Sequence, residues 1–461
     1  MKDGPGILVL TKNHAGRRMA SPGIRAYHTA RVLAENVPGA RVTLATPSAA
    51  ELSEGGLPFR AVPYAPAAIT SAARQSDIII GSRFPLYLLP LLANKRIVLD
   101  MFTPFVTEWI ELARWWIDSR RDTFLNSLAR DLMVQMILAD LVLCATTRQR
   151  DLCFGMLSSL GRITPESYDN DHWLTDMLLI APFGVRPSEP EHTRRVLKGV
   201  WPGINEGDTV LIWNGAIIEW YDVETLIRAV HRISQQRSDI KLFFLGTEHP
   251  DNPDQAAPKM HGLGGGTQRT AYELSSNLGL LDKFVFFNFD WVDYDDTANY
   301  LLEADIGVCT YFDNLETHFS FRSRLLDLLW AELPMLCTRG DVWAKLVKDR
   351  TLGIAVPERN EDAIVDAILR LADDRTFVAQ CKANLRREKE NYRWENSLQG
   401  LIDYCSRPTV ALHKASRILP LATTLASSLE SKLLLAIYSR WDRWYPFDKG
   451  RAAAPQEVTQ P

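Results

Sequence analysis

The residues whose types and spacing could do chemistry crowd into one stretch, positions 316–341, reading ETHFSFRSRLLDLLWAELPMLCTRGD. Ser320 is placed as the N-cap of a helix that starts near Phe321, with Arg322 and Arg324 in the first turn. Two cations at that end of a helix oppose its dipole. Their presence makes sense if a bound diphosphate supplies the negative charge, held by the free backbone N–H groups and the guanidinium groups together. The bland alternative is a pair of surface arginines, Arg324 bonding Asp327 three residues on. Asp327 lies among Leu325, Leu326, Leu328, Leu329 and Trp330. A carboxylate in apolar surroundings needs a hydrogen-bonding partner, and a ribose diol would be a good one. Glu316 and His318 lie just upstream in the same stretch.

Weaker candidates lie elsewhere. Gly23 and Arg25 follow the first expected strand, where glycine allows close backbone approach and an early helical arginine could meet an anion. Gly215 and Trp220, with Glu219 and Asp222, follow the first strand of the second half. Arg148 and Arg150 face either a cleft or solvent, and Asp100 ends a strand as a candidate for positioning an acceptor. The run GLGGG at 262–266 follows a polar segment rather than a strand and reads as a loop. No histidine or cysteine pattern has metal-ligand spacing, and the DYDD at 293–296 reads as a helix start, so no metal site is expected.

Two sets of elements must position these residues. At 461 residues the chain exceeds the size at which one core stops growing. Strands are expected at 7–11, 41–45, 78–81, 96–100, 141–145 and 178–181, with helices at 24–35, 105–139 and 148–160. After a proline-bearing linker at 187–195 the alternation resumes. Strands are expected at 209–214, 241–246, 284–288, 306–310, 335–338 and 353–356, and helices near 223–233, 268–278, 321–332, 342–349 and 361–373. Alternating strands and helices imply α/β architecture: two Rossmann-like, doubly wound parallel-sheet domains facing a cleft. The divisions are 1–190, 191–390, helices over 391–450 that return to the first domain or lie on a membrane, and a disordered tail at 451–461. Ligands of such sheets bind beyond the carboxyl ends of the strands, which places the site in the cleft.

The net charge of −4 gives no footprint for nucleic acid. Six cysteines without CxxC spacing read as reduced core residues of a cytoplasmic protein. No signal peptide and no run long enough to span a membrane is read. The stretch SRWDRWYPFDKG at 439–450 interleaves Trp, Tyr and Arg, which suits either a membrane boundary at the inner face of the plasma membrane or packing across both domains.

Asp327-x4-Glu332-Leu333-Pro334 resembles the E-A-M-A-A-G-L-P segment of family 4 glycosyltransferases, which have the GT-B fold. SPGIRAYHTARVLAE at 21–35, LIAPFGV at 179–185, Asn214-Gly215, TLIRA at 225–229 and ADIGV at 304–308 fall in the family's order. The resemblance covers about residues 5–405. It implies a retaining, metal-independent transfer of a sugar from a nucleoside-diphosphate-sugar co-substrate, with no other cofactor, to a saccharide or lipid-linked acceptor in polysaccharide or glycolipid assembly. It gives Asp327 the ribose. Three positions depart from the pattern. Phe319 stands where the family has its first glutamate, which makes Glu316, three residues earlier, and His318 the candidates to reach the donor sugar hydroxyls, and Ala216 and Tyr221 stand where it has an arginine and a lysine near the diphosphate. Arg322 and Arg324 are the replacements expected. A GT-B-like scaffold without catalysis and a GT-B nucleotide-sugar epimerase are the alternative readings.

Overall fold

The computed structural model describes residues 4–92, 94–114, 120–247, 266–407, 421–422, 424–430 and 432–433. Thirteen strands form two all-parallel sheets. The first contains β1 (Gly6–Leu10), β2 (Arg41–Thr46), β3 (Arg60–Pro63), β4 (Ile78–Gly81), β5 (Arg96–Met101), β6 (Leu141–Cys144) and β7 (Leu178–Ile180), in the order β3-β2-β1-β4-β5-β6-β7. The second contains β8 (Thr209–Asn214), β9 (Ile240–Leu245), β10 (Val285–Asn288), β11 (Ile306–Cys309), β12 (Met335–Thr338) and β13 (Gly353–Val356), in the order β10-β9-β8-β11-β12-β13. Both are doubly wound. In each, the strand order reverses beside the first strand, which opens a crevice at its carboxyl end.

The strands read as continuous apolar runs because helices cover both faces. Ile-Ile-Ile-Gly of β4 and Leu-Val-Leu-Cys of β6 are buried at every position. Register is fixed on both sides of the central strands: Val9 pairs with Leu44 and Ile80, and Ile212 with Phe243 and Gly307. All six cysteines are free and buried in these cores.

Several elements differ from the sequence expectation, among them helices Pro66–Arg74 and Arg375–Lys389, which join those expected. The edge strand β3 has a single buried residue and ends on Pro63, so it carries no apolar run to betray it. The long helix expected over 105–139 is two, Phe105–Ala113 and Arg120–Leu138.

The helices that follow residue 393 lie against the first domain. Helices Trp394–Ser397 and Gln399–Ser406 pack against the Ser21–Asn36 helix. The Trp394 ring stacks on His28 with 4.9 Å between centroids, and lies so close to Gly184 that a Cβ there would sit 2.5 Å from Trp394 Cγ. Further on, Ser428 Oγ donates to Asp131 (2.7 Å) and Lys432 pairs with the same carboxylate (2.7 Å). The aromatic-basic stretch at 439–450 and the tail at 451–461 lie outside the described residues. Among the described residues no helix is long and apolar enough to cross a membrane.

Candidate functional site

The carboxyl ends of the two sheets face each other across a cavity of about 500 Å³. Contacts at its rim join the domains. Ser21 and Ser323 share a hydrogen bond (2.7 Å), His28 Nε2 meets the Tyr294 hydroxyl (3.1 Å), and Arg17 pairs with Asp293 (2.8 Å). Arg148, left between cleft and solvent by its sequence, reaches across to the carbonyls of Gly340 (2.6 Å) and His318 (3.1 Å), whereas Arg150 stays with its neighbour Asp151 (3.2 Å).

Asp327 faces this cavity with 28% of its side chain exposed. It accepts from Asn214 Nδ2 (3.1 Å) and lies 3.4 Å from Arg186 Nη2. Burial pushes its carboxyl above the usual carboxylate range, while Arg186 and Asn214 pull it down. Arg186 is held by Thr297 Oγ1 (2.7 Å) and the Tyr294 carbonyl, with its guanidinium carbon 3.7 Å from the Tyr294 ring and 4.4 Å from Trp330. The remaining oxygen of Asn214 is buried without a partner.

β8 brings Asn214 to the cavity and Gly215 then turns the chain at φ +103°, a conformation that glycine adopts at little cost. The turn presents the Ala216 carbonyl to Arg324 Nη2 (2.8 Å). The Arg324 guanidinium lies 4.3 Å from the Tyr221 ring and 4.9 Å from Trp213. Among the described residues no carboxylate pairs with it, and its Nη1 is buried without a partner. The Tyr221 ring thus lies against the Arg324 guanidinium as a cation–π partner.

Arg322 and Glu316 behave differently from Arg324. Glu316 is fully buried and its oxygens accept from Arg322 Nη1 (2.8 Å) and Nη2 (2.5 Å), closing a bidentate pair. Thr317 adds a bond to Arg322 (2.9 Å) and Ser320 Oγ donates to Glu316 (2.5 Å). This pair corrects the helix expected at Phe321. Asn314 caps a short helix, Leu315–Phe319, which Ser320 ends rather than starts. Residues 320–323 then loop back to close the ion pair, and the next helix runs Arg324–Trp330 from Ser323, whose side chain makes no cap bond. Phe321 lines the cavity and stacks parallel to Phe183 at 6.0 Å. His318 points out beside Arg148, with burial and that guanidinium lowering its pKa.

In the first domain, Arg25 is not an open anion site. It is buried and donates to Asp100 at 2.9 and 3.1 Å and to the Pro182 carbonyl at 2.7 Å, which also absorbs Asp100. At Gly23 the absence of a side chain is accounted for by packing, because a Cβ there would fall 1.8 Å from the His14 carbonyl oxygen. That glycine lets the helix pack on the preceding loop.

Trp220 lines the cavity, and its indole N–H is buried without a partner. Burial pushes the neighbouring Glu219 up to about 7. Sequence reasoning missed Arg186, which directly follows the 179–185 stretch, and Glu108, a cavity carboxyl pushed up to about 8 by burial with Glu316 adding to the rise. Among the described residues no cluster of His, Cys, Asp and Glu could hold a metal ion.

Residues 201–388 match the family model described as glycosyl transferases group 1. No curated protein matches the chain. Solved structures match its fold. A sucrose-phosphate synthase from Thermosynechococcus elongatus aligns at TM-score 0.57 and 15% identity, covering 87% of this chain and 98% of its own. WaaG, a glycosyltransferase involved in lipopolysaccharide biosynthesis, aligns at 0.57 and 15%, covering 87% and 100%. Anabaena Alr3699/HepE in complex with UDP and glucose aligns at 0.58 and 13%, covering 87% and 99%. The second sheet domain is thus similar to the group 1 glycosyl transferases, and the whole chain has the two-domain GT-B fold of solved glycosyltransferases.

Proposed function

We propose that the chain is a glycosyltransferase that moves a sugar from a nucleoside-diphosphate-sugar donor to an acceptor hydroxyl held in the interdomain cavity. One observation carries this reading. Asp327, a carboxylate with room for a diol, and Arg324, a guanidinium with an orphaned buried N–H, face the same cavity from the ends of one helix turn. Asp327 would accept from the ribose hydroxyls, Arg324 would take the diphosphate, and the base would lie near Trp220 or the 289–292 stretch. Arg322 and Glu316 would act as positioning residues, holding the loop that presents Arg324.

In the transfer, the bond from the anomeric carbon to the β-phosphate oxygen breaks and its electron pair leaves with the diphosphate. The acceptor oxygen bonds to the anomeric carbon and its proton passes to a base, which retention of configuration would make the departing phosphate. Arg324 stabilises the charge that develops on that phosphate. Retention, metal independence, a saccharide or lipid-linked acceptor, and work in cell-surface polysaccharide assembly on the cytoplasmic side follow from the family resemblance.

Calorimetry with UDP, ADP and GDP tests the reading. At least one should bind, Asp327→Ala should weaken it about tenfold, and Arg324→Gln should weaken the diphosphate roughly 10- to 100-fold while sparing the free nucleoside. No binding to any of the three, or affinities untouched by both substitutions, would overturn the assignment.

A further inference from the structure

The cavity's two walls differ in chemistry. The second domain contributes Asn214, Arg324 and Asp327. The first-domain wall, between helices Phe105–Ala113 and Arg120–Leu138, is built of Phe105, Trp109, Leu112, Leu128 and Leu132. Three polar side chains of these helices interrupt it, Glu108, Asp131 and Gln135, and the adjoining loops add Ser82, Arg83 and Thr103. Two of the first three are already occupied. Asp131 is bonded by Ser428 and Lys432 and paired with Arg83. Gln135 accepts from Phe84 N (2.8 Å) and donates to its carbonyl (3.4 Å). Glu108 has no cation within ion-pair distance among the described residues and faces the Glu316–Arg322 pair across the cleft.

We infer that this wall is the acceptor subsite and takes an amphiphile, with a hydroxyl hydrogen-bonded to the Glu108 carboxyl and an apolar body lying on Trp109, Leu128 and their neighbours. The inference rests on the transferase reading for the word acceptor. A plain polyhydroxylated sugar fits this wall poorly. Each hydroxyl set against the apolar side chains would lose water, and with Asp131 and Gln135 occupied the partners left beside them are Glu108 and the Thr103 hydroxyl, a shortage that buried polar groups do not tolerate well. An apolar body gains from the same surface. Glu108 suits this company. Burial holds its proton up to about pH 8, Glu316 reinforcing that and Arg322 opposing it, so near neutrality it is an uncharged group that can both donate to and accept from one hydroxyl.

The test uses the full chain and monomeric methyl, butyl, hexyl and octyl β-glucosides, with free glucose for comparison, titrated calorimetrically. Affinity should rise about fourfold per methylene along the series before levelling off, the value for transfer of a methylene from water to an apolar surface. Leu128→Asp and, separately, Trp109→Ala should flatten that dependence, while Glu108→Ala should weaken every member by a similar factor, roughly three- to tenfold, and leave the slope alone. Equal affinity across the series, or a slope unchanged in both wall variants, would overturn the subsite. UDP, ADP and GDP titrated in parallel separate the two ideas. Nucleotide binding without chain-length dependence sinks only the amphiphile subsite. Chain-length dependence that the wall variants flatten, without nucleotide binding, upholds the apolar site and sinks the transferase reading.

Discussion

Two arginines two positions apart in sequence have opposite fates, and the difference is which charge each one meets. Arg322 turns back to Glu316 and is sealed with it, whereas Arg324 turns forward to a carbonyl and an aromatic ring. A buried ion pair is costly to break because the surviving charge is left without solvent. Glu316→Ala should therefore cost about 3–5 kcal/mol of stability by urea denaturation, while the double replacement Glu316→Leu with Arg322→Met should recover most of that loss. If the single variant unfolds no more easily than the parent, the pair does not hold the loop and a direct role for Glu316 toward the sugar becomes the better account.

At the scale of elements, the Ser21–Asn36 helix shows how packing can imitate a binding motif. Its Ser-Pro-Gly-Ile-Arg start has the composition of an anion site, yet Gly23 abuts the His14 carbonyl and Arg25 is consumed by Asp100. Gly23→Ala must displace backbone rather than a flexible side chain, so it should cost on the order of 3 kcal/mol in thermal or urea unfolding. Nucleotide affinity of the folded fraction should stay unchanged; a variant of full stability that lost the nucleotide would restore the anion-site interpretation. The same contrast explains what the sequence could tell. Strands such as β4 and β6 are legible because a sheet covered on both faces leaves uninterrupted apolar runs. Asp327 is legible because a carboxylate flanked by leucines needs a reason. Arg186 and Glu108 are not, since each looks like an ordinary surface charge until a distant element supplies its neighbours: Tyr294 and Trp330 for one, Glu316 and Arg322 for the other. The pairing of Arg322 with Glu316 was equally hidden, because a six-residue separation matches no helical spacing and depends on the helix breaking at Ser320.

At the scale of the whole molecule, one histidine touches three parts of the chain at once. His28 sits on the first domain's leading helix, bonds the second domain's Tyr294 and stacks on Trp394 of the returning C-terminal segment. Its other ring nitrogen is buried without a partner. Burial lowers its pKa to about 3, and the nearby Arg31 and Arg186 charges push the same way. In the unfolded chain the imidazole protonates near pH 6.5. The folded state therefore excludes a proton that the unfolded state binds throughout the interval from 6.5 down to 3. Its contribution is fully present above pH 6.5 and is lost as pH falls below that value, at up to about 1.4 kcal/mol per pH unit. His28→Gln, which cannot titrate, should be less stable than the parent at pH 7.5 and lose stability more shallowly between pH 6.5 and 4.5. Denaturation midpoints of both proteins across that range measure the difference, and the carboxylates common to the two cancel from it. Parallel pH profiles would show that His28 takes up its proton without disturbing the contact between domains.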